Sequence, residues 1–131
     1  MTKTVHWNGV TPDTAQTFQI CITGPSYPAG NCKTATYNGG TLVWSSLTPG
    51  SYTVSETNPG AQWDVSIGGS PAGVASGETS TASVTNSRKL GSLQVTKTVN
   101  WNGMPPVNGQ TFEVGFSIAG DARLRCDPGL V

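Results

Sequence analysis

The chain has 131 residues, with seven Lys or Arg balancing seven Asp or Glu, so its net charge is zero. Charged residues make up 11% of it, against about 25% in an ordinary soluble protein, and no basic field is present to hold nucleic acid or an acidic membrane. Apolar stretches run only a few residues and the chain does not open on a charged segment followed by an apolar run, which predicts no membrane insertion and places any export signal outside this sequence.

Alternating hydrophobicity predicts strands around Val5 and Trp7, then Phe18, Ile20 and Ile22, then Leu42 and Trp44, Tyr52 and Val54, Val65 and Ile67, and finally Val84. Between them stand Asn8-Gly9, Asn38-Gly39-Gly40, Thr48-Pro49-Gly50 and Asn58-Pro59-Gly60, which supply the positive or preset φ that tight reversals need. Helical spacing is not sustained between these breakers. The expectation is an all-β chain folded as an antiparallel β-sandwich.

Three polar residues fall on the inward faces of these strands. Because strand side chains alternate, Lys3 shares a face with Val5, Glu56 with Tyr52 and Val54, and Asn86 with Val84. A lone buried ammonium or carboxylate is costly, so groups sequestered together neutralise one another or react. An amine, a carboxamide and a carboxylic acid can undergo amide exchange, in which a Lys–Asn isopeptide bond forms and ammonia leaves. Burial disfavours the charged forms of amine and acid alike, and a proton shift between them leaves a neutral amine able to attack the Asn86 carbonyl carbon. The plainer expectation is a Lys3 stem that snorkels to the surface and pairs there with Glu56, with little effect on stability.

An internal repeat divides the chain. Residues Thr2 to Phe18 align without a gap on Thr96 to Phe112: Lys3, Val5, Trp7, Asn8, Gly9, Pro12, Gln16, Thr17 and Phe18 recur as Lys97, Val99, Trp101, Asn102, Gly103, Pro106, Gln110, Thr111 and Phe112. A complete unit followed by the start of another is the pattern of a tandem array. The reading is a first domain over 1–87, a short linker over 88–91, and over 92–131 an incomplete second repeat with its first strands and a divergent tail.

The lysine strand, Gln16-Thr17-Phe18, the segment Leu47-Thr48-Pro49-Gly50-Ser51-Tyr52-Thr53-Val54-Ser55-Glu56-Thr57 and the closing Val84-Thr85-Asn86 together resemble the Cna B-type, prealbumin-like (SpaA-like) domains of bacterial surface adhesins and pilins. The resemblance covers residues 2 to 87. It implies an Ig-like or prealbumin-like sandwich with Greek-key connections, and a single-turnover reaction rather than an enzyme: Lys3 as nucleophile, Asn86 as acceptor, Glu56 as the catalytic acid and proton shuttle, with no cofactor. It implies an extracellular structural module on a bacterial cell surface, a bead of an adhesin stalk, pilus or fibre, whose partners are neighbouring repeats or like subunits. The family strand begins several residues before its lysine, as Gly91-Ser92-Leu93-Gln94-Val95 does before Thr96-Lys97, whereas only Met1 and Thr2 precede Lys3. Strand addition of 91–99 to the edge of another copy, with Lys97 replacing Lys3 beside a neighbour's Asn86, is one expectation of that difference; the plainer one is that 91–131 is a disordered remnant of a cut array.

Cys21 falls between Ile20 and Ile22 and faces away from the core, and Cys32 follows the stretch 24–31, read as a loop. A Cys21–Cys32 disulfide would pin that loop in an oxidising location; free thiols are the alternative. Cys126 keeps the register of Cys32 in the second copy, where Gly115 stands in place of the first cysteine. Three dispersed cysteines and the single His6 do not make a metal cluster. The alternative function is a ligand-binding adhesin domain that contacts a glycan or host protein through loops such as 24–31 or 68–77.

Overall fold

Among the residues described by the computed structural model, 1–117 and 124–126, every regular element is a strand. The chain divides into two units, Met1–Leu90 and Gly91–Val131. The first contains β1 (Thr2–His6), β2 (Thr17–Gly24), β3 (Tyr27–Thr36), β4 (Gly40–Thr41), β5 (Gly50–Glu56), β6 (Trp63–Gly68), β7 (Ala72–Val74) and β8 (Ser83–Arg88). They form two four-stranded sheets, in the orders β4-β1-β8-β6 and β3-β2-β5-β7.

The two sheets make a β-sandwich whose inner faces differ in chemistry. Phe18, Ile20, Ile22, Ala35, Tyr52 and Val54 come from the second sheet and are all apolar in character, apart from the tyrosine hydroxyl. The first sheet buries Val84 and Trp63 but also Lys3 and Asn86. Burying each large apolar side chain stabilises the fold by about 1.5–3 kcal/mol, and that surplus is what tolerates the side chains of Lys3, Asn86 and, from the second sheet, Glu56 in the interior. The Tyr52 hydroxyl is satisfied, donating to the Thr48 carbonyl at 2.7 Å while the Ser26 backbone N–H donates to it at 3.1 Å. This fastens the Leu47–Tyr52 segment and sets the start of β5.

Pairing is antiparallel with one exception. β1 and β8 run parallel, with Thr2 opposite Ser83, Val5 opposite Asn86 and His6 opposite Ser87. The first and last strands of the unit are therefore direct neighbours, and β1 is interior, flanked on its other side by β4.

Turn chemistry follows the sequence at Asn8-Gly9, where both residues have positive φ (53° and 85°) and the Val10 N–H donates to the Trp7 carbonyl at 2.9 Å. Gly39 answers to a tertiary demand. Its φ is 76°, and a Cβ there would collide with the Lys3 carbonyl oxygen, so the turn before β4 can close over β1 only with glycine.

Three regions differ from expectation. The stretch 24–31 is no open loop: β2 and β3 form a hairpin with Gly24 opposite Tyr27. In 68–77, β6 runs to Gly68 and β7 occupies Ala72–Val74. Leu42–Trp44 lies just past the end of β4 rather than in a strand. β3 escaped notice because only Ala35 of its ten residues is buried, which leaves no apolar alternation to read.

In the second unit, the described strands are β9 (Gly115–Ser117) and β10 (Leu124–Cys126), paired antiparallel. Residues 91–114, which contain the sequence match to β1 and the start of β2, form no strand. The side chain of Cys126 lies outside the described residues.

Candidate functional site

The alternation of β1 turns Lys3 inward, and that of β8 does the same for Asn86, two residues along the parallel ladder from Lys3's own partner Val84. Glu56 comes from the facing sheet, at the last residue of β5, where it pairs with Ile20. All three expected residues meet between the sheets. Lys3 Nζ donates to Glu56 Oε1 at 2.7 Å and Asn86 Nδ2 donates to Glu56 Oε2 at 2.9 Å. One carboxylate thus bridges the amine and the carboxamide.

None of these groups reaches water. The side chains of Lys3 and Glu56 are 0% and 1% exposed and Asn86 is wholly buried. The lysine does not snorkel; its ion pair with Glu56 is internal. Burial pushes the Lys3 ammonium below the ordinary lysine range, and the hydrogen bond and charge of Glu56 pull the other way without cancelling it. The Asn86 Oδ1 is buried with no hydrogen-bond donor. Such an orphaned carbonyl carries a desolvation penalty that ends when a donor arrives, as a protonated Glu56 would supply if the amide turned to present Oδ1 in place of Nδ2.

Aromatic rings close the site. The Lys3 Nζ lies 4.3 Å from the centroid of the Phe18 ring. Trp63 meets Phe18 edge-on at 5.2 Å and Trp7 edge-on at 4.9 Å, and the Arg88 guanidinium lies 5.8 Å over its ring. The Trp63 indole Nε1 is buried without an acceptor. Sequence reasoning placed Phe18 in the core but missed its contact with Lys3, because a ring beneath a lysine on the facing sheet leaves no mark in either strand's own pattern.

The remaining candidates lie elsewhere. Cys21 and Cys32 are directly opposite on β2 and β3, Cα atoms 4.0 Å apart, and form a disulfide that ties the hairpin and is compatible with an extracellular location. Lys97 is exposed, with its Nζ 5.0 Å from the Phe112 ring centroid. His6 is exposed at the end of β1. Among the described residues no helix is long and apolar enough to cross a membrane.

Comparison with family models, with curated proteins and with solved structures returned no match.

Proposed function

We propose that residues 1–90 are a self-crosslinking structural module of the Cna B type, working in an extracellular fibre, stalk or pilus on a bacterial surface. The observation that carries this reading is the buried Glu56 carboxylate held at once by Lys3 Nζ and Asn86 Nδ2.

The chemistry runs in four moves. Lys3 passes a proton to Glu56 along their 2.7 Å hydrogen bond, leaving a neutral amine in a site that disfavours the ammonium. Once the Asn86 amide turns so that Oδ1 rather than Nδ2 faces Glu56, the protonated carboxyl donates to the carbonyl oxygen and polarises it. Lys3 Nζ attacks Asn86 Cγ, forming a new C–N bond. The Cγ–Nδ2 bond breaks, and Glu56 relays the amine's proton to the departing nitrogen, which leaves as ammonia. Glu56 ends with the proton it first took from Lys3 and returns to the carboxylate when it gives that proton up, while Lys3 and Asn86 are consumed, so turnover happens once.

The topology gives the bond a mechanical use. β1 and β8 are parallel neighbours, so tension applied before β1 and after β8 pulls the two strands in opposite directions and loads their ladder in shear. A covalent link between them carries that load past the sandwich. Intact mass tests the reading: the folded protein is expected to be lighter than its sequence by one ammonia, about 17 Da, with the full mass restored in Lys3→Ala, Glu56→Ala and Asn86→Ala. A wild-type mass equal to the sequence, after allowing for Met1 and the disulfide, would end it.

A further inference from the structure

The two sheets of the first unit end on the edge strands β4, β6, β3 and β7, and all but β6 are blunted. β4 and β7 are two and three residues long. β3 is long, but it carries Pro28 near its start and Lys33 on the face it shares with Ala35, and the Lys33 ammonium donates to the Val43 carbonyl. Short strands, proline and inward-pointing lysines are devices that keep a sheet edge from pairing with another chain. β6 has none of them: Trp63-Asp64-Val65-Ser66-Ile67-Gly68 contains no Lys, Arg or Pro and pairs with β8 without a bulge.

The inner face of this edge is open as well. Val65 lies directly opposite Asn86 and Ile67 opposite Val84, so both point the way the buried residues of β8 do, yet they are 42% and 38% exposed.

The ladder to β8 determines which backbone groups of β6 are free. The Lys89 N–H donates to the Gln62 carbonyl at 2.9 Å, which makes Gln62 and Lys89 a hydrogen-bonded pair. Such pairs alternate along an antiparallel ladder. Asp64, Ser66 and Gly68 therefore bond to β8, while Trp63, Val65 and Ile67 turn their N–H and C=O groups to the other side. The Trp63 N–H is used there, donating to the Gly60 carbonyl at 3.2 Å. Beyond Val65 and Ile67 no strand lies among the described residues.

We propose that β6 pairs with β6 of a second copy of this chain, antiparallel about a two-fold axis at Ser66. In that register Val65 of each copy stands opposite Ile67 of the other, and each such pair exchanges both of its N–H···O bonds through the groups that β8 leaves free. The same pairs set valine against isoleucine on the inner face, where β-branched side chains pack well across strands. Asp64 meets Gly68, so no like charges face one another across the pairing, and with a net charge of zero the copies do not repel. An axis at Val65 would call on the Trp63 N–H, already bonded to Gly60, and an axis at Ile67 would call on Gly69, beyond the end of β6. The pattern of the strand thus selects its own copy as the occupant: reversed about Ser66, it supplies an apolar residue wherever this strand offers one.

Pairing makes the two β4-β1-β8-β6 sheets continuous. The contact uses the same patch on both copies and closes at two, so it joins chains side by side and does not lengthen a fibre. It covers Val65 beside Asn86, and no side chain of the Lys3, Glu56 and Asn86 cluster takes part in it.

Sedimentation and thiol cross-linking of the full chain test the pairing, both in a Cys126→Ser background, where Cys21 and Cys32 are bridged to each other. The protein is expected to pass from monomer to dimer as its concentration rises, and Val65→Lys with Ile67→Lys, which sets a guarding charge on the edge, to stay monomeric. Cross-linking reads the register and serves if that double variant does not fold. Ser66→Cys puts two thiols at the axis in a non-hydrogen-bonded pair, Cα atoms about 4.5 Å apart, within reach of a disulfide. Mild oxidation should convert this variant to a covalent dimer and leave Asp64→Cys, exposed on the same outer face, uncoupled. A chain that stays monomeric at its highest soluble concentration overturns the proposal. So does a dimer that survives Val65→Lys with Ile67→Lys or couples no faster at Ser66→Cys than at Asp64→Cys, since the copies then meet elsewhere, and so does an assembly larger than two. None of these results bears on the ammonia loss that tests the Lys3–Asn86 bond.

Discussion

Thr2–Val5 and Thr96–Val99 are the same four residues in two conditions. In the first unit they are a strand with neighbours on both sides, and Lys3 is buried under a carboxylate. In the second they form no strand and Lys97 is exposed. Yet what is local is shared: the Asn-Gly turn and its closing hydrogen bond recur in both units. Local geometry is written in the repeat. Strand formation and burial come from β4, β8 and β5, which are distant in sequence and belong to the first unit alone.

The largest way to break this contrast is to remove the covalent tie proposed for the first unit. A Lys3–Asn86 bond closes most of the domain into one loop, and by the chain-entropy argument used for disulfides it stabilises by about 4–5 kcal/mol. Glu56→Ala and Asn86→Ala are each expected to lower the melting temperature by roughly 15–30 °C, whereas Lys97→Ala leaves the melting of the first unit unchanged. A melting temperature that ignores Asn86→Ala would show that the bond contributes nothing.

A smaller effect separates the paired phenylalanines. Phe18 is 1% exposed between Lys3 and Trp63, and Phe18→Ala should destabilise by about 3–5 kcal/mol in a chain already unable to form the bond. Phe112 is 44% exposed, and Phe112→Ala should cost less than about 0.5 kcal/mol. Equal losses in chemical denaturation would mean that the second unit packs its repeat as the first does.

The smallest is a pH effect, read in unreacted Asn86→Ala. Folding lowers the Lys3 pKa from its ordinary 10.5, chiefly by burial. Below the lowered value Lys3 is charged in both states and the full burial penalty applies. Between that value and 10.5 the unfolded chain binds a proton that the folded one does not, so stability should rise with pH across this window. Denaturant midpoints of Asn86→Ala, referenced to Asn86→Ala with Lys3→Met, measure it; a difference that falls with rising pH contradicts the assigned burial.

Much of the site was legible in the chain. Period-two alternation put Lys3, Glu56 and Asn86 on inward faces, and the structure joins them through one carboxylate because each strand keeps the parity its apolar residues demand. The Cys21–Cys32 bridge was one of two readings of an outward Cys21 and a second cysteine eleven residues on, and the structure forms it. β3 was not legible, since its exposed residues carry no hydrophobic rhythm and it is held by pairing to β2. Nor was the end of β4 before the apolar Leu42–Trp44.

By itself, the sequence determined what depends on neighbours in the chain: the turns, the inward parity of each strand and the repeat. Only the tertiary structure decided that β1 and β8 lie side by side in parallel and that Phe18 underlies Lys3. The physical reason is that strands acquire their hydrogen-bond partners and their dielectric from segments far away in sequence, so one four-residue motif is a buried strand in one unit and exposed chain in the other.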